Sequence, residues 1–315
     1  METRHCQAWW HEHDNPRKRL DAATRLTTGE YLELFHEPRF SIGRDDSFFC
    51  IGSCFARNIE GVLLKHGFRV TSTEIDVPQE ALANTHSGPG ICTKFNAYSM
   101  LNEVLVAFGE KSNPNGGLVE IGEGKYWDPQ LHSTPHLSYD SARATRAGVT
   151  GCFQRLKDAD VCIVTLGLTE MWWDTVLDLP LNAGPPIWKE AHRQKRFAFR
   201  NPPLGAIREK VGALCHKIHE HSGGRAKVVL TVSPVPLQRT FSDRDIIVAN
   251  NYSKSLLRVV ADELVQECAY VDYYPSYEYV MFSPRHLTWH EDQRHVSPRL
   301  VHYITERFID TYVAQ

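Results

Sequence analysis

Apolar residues fall into two kinds of run along this chain. Phe48 to Ile51, Val161 to Gly167, Val228 to Ser233 and Ala269 to Tyr273 are short stretches with almost no polar alternation, the pattern of strands buried on both faces. Elsewhere apolar positions recur every three or four residues, as on a helix with one face against a core. Ile59, Val62 and Leu63 follow this spacing, as do Met100, Leu101, Val104, Leu105 and Phe108 within 95–108, and Ile207, Val211, Leu214, Cys215 and Ile218 within 204–219. A further helix is predicted over 246–265. Ser297 and Pro298 form an N-cap and first-turn pair for a last helix carrying Leu300, Ile304 and Phe308. Gly67 closes the first helix, and Phe68 to Ser72 reads as another strand.

Strands alternating with helices predict an α/β domain, a mainly parallel sheet covered on both faces in a three-layer α/β/α sandwich. Residues 46–315 read as one such domain. Residues 1–45 form a lead-in packed on it, with a short helix near Thr28 to Phe35. Two insertions interrupt the alternation, about 113–157 and 171–203. The first, turn-rich at 113–124, is longer than an ordinary connection and is expected to act as a lid.

Composition narrows the setting. The 315 residues carry 35 basic and 38 acidic side chains, so no charge excess draws the chain to nucleic acid or an anionic membrane. No run approaches the roughly 20 apolar residues that span a bilayer, and the first residues lack a signal-like apolar core. Cysteines at 6, 50, 54, 92, 152, 162, 215 and 268 form no Cys-x-x-Cys pair. They read as reduced, buried hydrophobes in a reducing compartment, and the expected location is cytoplasmic.

Two segments carry candidate chemistry. Phe48-Phe49-Cys50-Ile51-Gly52-Ser53-Cys54-Phe55-Ala56-Arg57-Asn58 puts a serine where a strand turns into a helix, and Asp292-Gln293-Arg294-His295 offers a carboxylate and an imidazole three residues apart. Loops at the carboxyl ends of parallel strands gather at one sheet edge. Ser53, Gly167 to Glu170, Ser233-Pro234 and the 292–295 loop can therefore meet there. Ala56 occupies the second glycine position of Gly-x-Ser-x-Gly, which disfavours the nucleophile elbow of the α/β hydrolases.

Gly52-Ser53-Cys54-Phe55-Ala56 resembles the motif that names the GSCFA family, related to the SGNH or GDSL hydrolases. The chain is similar to that family also at Thr231-Val232-Ser233-Pro234-Val235-Pro236 and at Asp292 to His295, over roughly residues 45–300. The resemblance implies a flavodoxin-like, SGNH-type sheet and a serine mechanism: Ser53 attacks an acyl carbon, His295 takes its proton and Asp292 orients the imidazole. A serine hydroxyl is a poor nucleophile at neutral pH unless a base removes its proton as the bond forms. The implied activity is an acyl-ester hydrolase or O-acyltransferase acting on a carbohydrate or small polar metabolite, with an acyl donor in the second case and no cofactor.

The resemblance also implies an oxyanion hole completed by an asparagine, and here Gly167-Leu168-Thr169-Glu170 has Thr169 at that place. Loss of one such donor costs about 10² to 10³ in turnover. Substitutes are sought in Thr169, Gly167, an amide near Gly88 and Gly90, Asn84 and Asn96; the two asparagines read more readily as a turn residue and a helix cap, respectively.

Other readings compete. Cys54 is the rival nucleophile but is expected to pack inward. His286, His290 and His295 suggest a metal-dependent hydrolase, and the missing asparagine suggests a weakened binding module. Trp172 reads as buried core packing, with a substrate platform as the alternative. The run His192-Arg193-Gln194-Lys195-Arg196, with Arg200, reads as a solvated face of a flap, with an anion clamp as the alternative.

Overall fold

The computed structural model describes residues 25–26, 29–83, 88–185 and 195–314. In chain order the strands and longer helices are β1 (Phe48–Gly52), α1 (Cys54–Lys65), α2 (Ala97–Ala107), β2 (Val119–Gly122), β3 (Lys125–Trp127), α3 (Tyr139–Gln154), β4 (Val161–Leu166), β5 (Met171–Asp174), β6 (Leu179–Leu181), β7 (Phe197–Arg200), α4 (Leu204–His221), β8 (Lys227–Val232), α5 (Ile246–Glu267), β9 (Val271–Tyr273), α6 (Ser276–Phe282) and α7 (Pro298–Tyr312).

The four continuous apolar runs form one parallel sheet in the order β1-β4-β8-β9. Successive side chains of a strand point to opposite faces, and the strand residues divide accordingly. Phe49, Ile51, Cys162, Val164, Val228 and Leu230 join a cluster with α2, α3, α4 and α5. Phe48, Cys50, Val161, Ile163 and Val229 join a second cluster with α1, α6 and α7. The chain is thus an α/β protein with helices packed on a four-stranded parallel sheet.

Helix ends follow the local chemistry read from sequence. Gly67, at φ +83°, closes α1: its N–H donates to Leu64 O and that of Phe68 to Leu63 O, the paired bonds of a left-handed helix stop. Ser297 caps α7 by accepting the Leu300 N–H at 3.4 Å.

Phe68 to Ser72 is not a strand. Only Val70 bridges Phe48, and the chain then turns into a 3-10 helix at Thr71–Thr73. Side chains take over the edge of β1: the Thr71 hydroxyl donates to Phe48 O at 3.2 Å and Ser72 Oγ accepts the Cys50 N–H at 3.1 Å. The expected helix near Thr28 to Phe35 is absent from residues 29–35; Thr28 lies outside the described residues. The lead-in nonetheless packs on the domain, with Ile42 bridging Val313 and the His36 ring bonded to Tyr312 Oη at 2.8 Å.

The 113–157 insertion is not a free lid. It holds the antiparallel β2-β3 hairpin and the core helix α3, which buries Ala142, Val149, Cys152 and Phe153. Arg146 disguises that helix in the sequence. It is buried between Asp128 and Glu103, donating at 2.7 Å to each, and Glu103 also accepts from Lys94 at 2.6 Å. The 171–203 insertion supplies the antiparallel sheet β6-β5-β7. Among the described residues no helix is long and apolar enough to cross a membrane.

Candidate functional site

The carboxyl ends of β1, β4 and β8 open into a cavity of about 780 Å³, within the range of small-molecule sites. Ser53, Cys54, Gly90, Gly167, Trp172, Ser233, Arg294 and His295 all line it. The parallel sheet therefore joins the two motifs from opposite ends of the chain.

Ser53 leaves β1 through Gly52, whose φ of +151° favours glycine and where a Cβ would lie 2.6 Å from that of Thr165. It is the N-cap of α1: its Oγ accepts the Phe55 N–H at 3.3 Å and shares a 3.0 Å hydrogen bond with Ser233 Oγ. Both serines are buried, yet both reach the cavity. The nucleophile candidate thus sits on the positive end of a helix, where developing negative charge is favoured.

His295 and Asp292 share a tight turn closed by the Trp289–Val296 bridge and by the His290 N–H on His295 O at 2.9 Å. Gln293 adopts φ +55° to make the corner. Asp292 Oδ1 accepts the N–H groups of Arg294 and His295 at 3.0 Å, and Oδ2 lies 2.5 Å from His295 Nδ1. These backbone bonds first, and the imidazole after them, hold the Asp292 carboxyl well below its ordinary range. A carboxylate can only accept, so Nδ1 carries the proton and Nε2 is left as the basic nitrogen. In this structure the Ser53 hydroxyl bonds Ser233 and not His295, so the two share a wall without the contact the sequence leads one to expect.

The expected oxyanion donors are placed unevenly. Thr169 does not line the cavity; its N–H donates to Ser253 Oγ and its hydroxyl is buried without a partner among the described residues. Asn96 is the N-cap of α2, accepting from the Ser99 N–H and donating to Leu181 O, so its amide is committed to the fold. Gly167 and Gly90 stand on the wall, and a Cβ at Gly167 would meet Phe95 O at 2.5 Å. Asn84 lies outside the described residues.

Cys54 also departs from expectation, since it lines the cavity beside Ser53 instead of packing inward. Burial raises its thiol above the ordinary value, against the pull of Arg294, which leaves it protonated at neutral pH and a weak nucleophile. Trp172 is on the wall with Phe199 and Phe241, at ring separations of 5.8 and 5.0 Å. The basic run is not a clamp as far as it is described: Arg196 grips the buried Asp174 through three bonds of 2.7 to 3.0 Å, and Arg200 lies over Trp173 at 4.1 Å. His192 to Gln194 lie outside the described residues.

The histidine-rich metal set is not assembled. His286 and His290 are exposed and off the cavity, and no group of three or more His, Cys, Asp or Glu among the described residues is placed to share an ion.

Two contributors went unread in the sequence. Ser233 was visible at the same edge and within the Thr231 to Pro236 segment, but without a role. Lys254, fully buried on α5, donates to Gly167 O at 2.8 Å, and burial pushes its amine down to about 7. Its signal was a lysine among the inward positions Ala249, Ser253, Leu257 and Ala261 of an otherwise apolar helix face. Comparison with curated proteins finds no match. The GSCFA family model matches residues 47–308, and the chain belongs to the GSCFA family.

Proposed function

We propose that this cavity is the acyl site of a serine esterase or O-acyltransferase on a three-layer, SGNH-type α/β/α sandwich. The observation that carries the reading is the convergence of Ser53, at the N-terminus of α1, with an Asp292-oriented His295 on one cavity wall. His295 Nε2 accepts the Ser53 proton as Oγ bonds to the acyl carbon. The imidazolium, stabilised by Asp292, then returns that proton to the leaving alcohol. Water, or an alcohol acceptor, removes the acyl group by the same steps in reverse.

The oxyanion formed at attack falls to two kinds of donor. First-turn N–H groups of α1 carry the helix's positive end, and the Ser233 hydroxyl, 3.0 Å from Ser53 Oγ, takes the place of the absent asparagine. Catalytic hydrogen bonds are often loose in an empty site and tighten around substrate; here Ser53 must exchange Ser233 for His295, which frees the Ser233 hydroxyl to face the oxyanion. Polar side chains such as Asn58, Asn182 and Gln238 beside the aromatic Trp172, Phe199 and Phe241 wall suit a carbohydrate or small polar metabolite.

Labelling with a fluorophosphonate tests the assignment. Wild-type protein should react, Ser53→Ala should not, and His295→Ala should react far more slowly. Labelling and ester turnover that survive intact in Ser53→Ala would remove the serine mechanism.

A further inference from the structure

Among the described residues, the cavity wall carries positive charge that no carboxylate neutralises. Of its three arginines, Arg57 is committed, at 2.8 Å to Glu60 and 2.6 Å to Cys50 O. Arg239 is exposed at the mouth. Arg294 differs from both. It is only partly exposed, its Nε is buried with no hydrogen-bond acceptor, and among the described residues it makes no ion pair. The wall's carboxylate, Glu170, is already held by the Thr240 hydroxyl at 2.7 Å and by the Phe241 N–H. Arg294 acts electrostatically on the Cys54 thiol and the His132 ring, which stand on the cavity wall.

Its backbone is fixed as well. The Arg294 N–H donates to Asp292 Oδ1 within the turn that sets His295, so the guanidinium leaves the chain one residue from the candidate base. A buried guanidinium nitrogen without an acceptor is costly, and a guanidinium presents a planar fork suited to carboxylate, phosphate or sulfate.

We propose that Arg294 is the anion-binding element of this site and that the ester taken by Ser53 carries a negatively charged group close to its scissile carbonyl. The proposal rests on the serine-esterase reading for its substrate but not for its anion. The anionic group lies on either the acyl or the alcohol side of the ester, and the two are separable.

Two pairs of esters provide the test: mono-para-nitrophenyl succinate against para-nitrophenyl butyrate for an acyl-side charge, and para-acetoxybenzoate against phenyl acetate for an alcohol-side charge. The ratio of kcat/KM for the charged to the neutral member should fall roughly 10- to 100-fold in Arg294→Gln for one pair, as expected for loss of a charged hydrogen bond, and recover in part in Arg294→Lys. A ratio unchanged in both pairs overturns the proposal. Calorimetric binding of succinate and para-hydroxybenzoate to Ser53→Ala, and to the same protein with Arg294→Gln added, separates the two readings. Binding lost only in the double variant establishes the anion site even if ester turnover survives Ser53→Ala and sinks the serine mechanism. Equal binding by both proteins, or by neither, overturns the anion site.

Discussion

Replacing Lys254 by methionine tests whether a buried amine underlies the site. The side chain is fully buried, and its only hydrogen bond among the described residues is the 2.8 Å bond to Gly167 O. Burial disfavours the ammonium and lowers its pKa from 10.5 to about 7. In the unfolded chain the amine keeps its ordinary value. Between about pH 7 and 10.5 the unfolded state therefore binds a proton that the native state does not, and stability rises with pH. The penalty is complete below the native value and is relieved only above the unfolded one. At roughly 1.4 kcal/mol per pH unit the full span is worth about 5 kcal/mol. Allowing for partial titration at pH 7, wild type should gain about 2 kcal/mol on Lys254→Met between pH 7 and 9. Against this, methionine orphans the Gly167 carbonyl at a pH-independent cost of about 1 to 3 kcal/mol. Urea unfolding of both proteins across pH 6 to 10 gives the difference curve, in which other titrating groups cancel. A difference that does not change with pH would refute the argument, and so would one that moves the other way.

Three further outcomes follow from the geometry. Glu103→Gln leaves Lys94 and Arg146 buried with Asp128 as their remaining carboxylate and should cost about 3 to 5 kcal/mol in urea denaturation; a loss below 1 kcal/mol would show that the cluster is effectively solvated. Ser233→Ala should lower kcat about 10²- to 10³-fold with KM little changed, as for an oxyanion donor, and a variant that keeps its kcat would return Ser233 to a packing role. Gly52→Ala forces a Cβ to within 2.6 Å of the Thr165 side chain at an unfavourable φ. A destabilisation of about 1 to 3 kcal/mol is expected by thermal melting, and an unchanged melting temperature would mean that the turn relaxes freely.

The sheet was legible because β1, β4 and β8 are buried on both faces and read as nearly unbroken apolar runs, with β9 a shorter strand around the buried Asp272; the principal helices were legible through spacing and through residues such as Ser297, Pro298 and Gly67. What misled was polar chemistry doing an apolar element's job. Thr71 and Ser72 satisfy the β1 edge with hydroxyls where a strand would use its backbone. Arg146 sits on the buried face of α3 because Glu103 and Asp128 await it from elsewhere in the chain, a pairing that no local pattern displays. In the site, Ser53, Asp292 and His295 could be named because each lies in a short motif. Ser233 and Lys254 bond Ser53 and Gly167, remote in sequence, and Arg294, though inside a quoted motif, is given no role by its type alone.

Remote contacts also explain why Thr169 is absent from the cavity, where the resemblance implies an oxyanion donor. In the sheet register Gly52 lies opposite Thr165, and Leu166 opposite Val232, so Ser53 and Ser233 leave strands that flank β4. Their hydroxyls can meet only across the end of that central strand. β4 yields the space by turning aside at Gly167: the Leu168 N–H bonds Phe95 O at 2.8 Å, the Gly167 carbonyl is drawn to Lys254, and Thr169 is carried away from the cavity to Ser253. The same turn that removes the Thr169 side chain from the site thus brings a serine hydroxyl into it. Lys254 holds that turn from below, so Lys254→Met should disturb the Ser53–Ser233 contact as well as the pH dependence of folding. A variant with altered stability but wild-type fluorophosphonate reactivity would separate the two and leave Lys254 a purely structural charge.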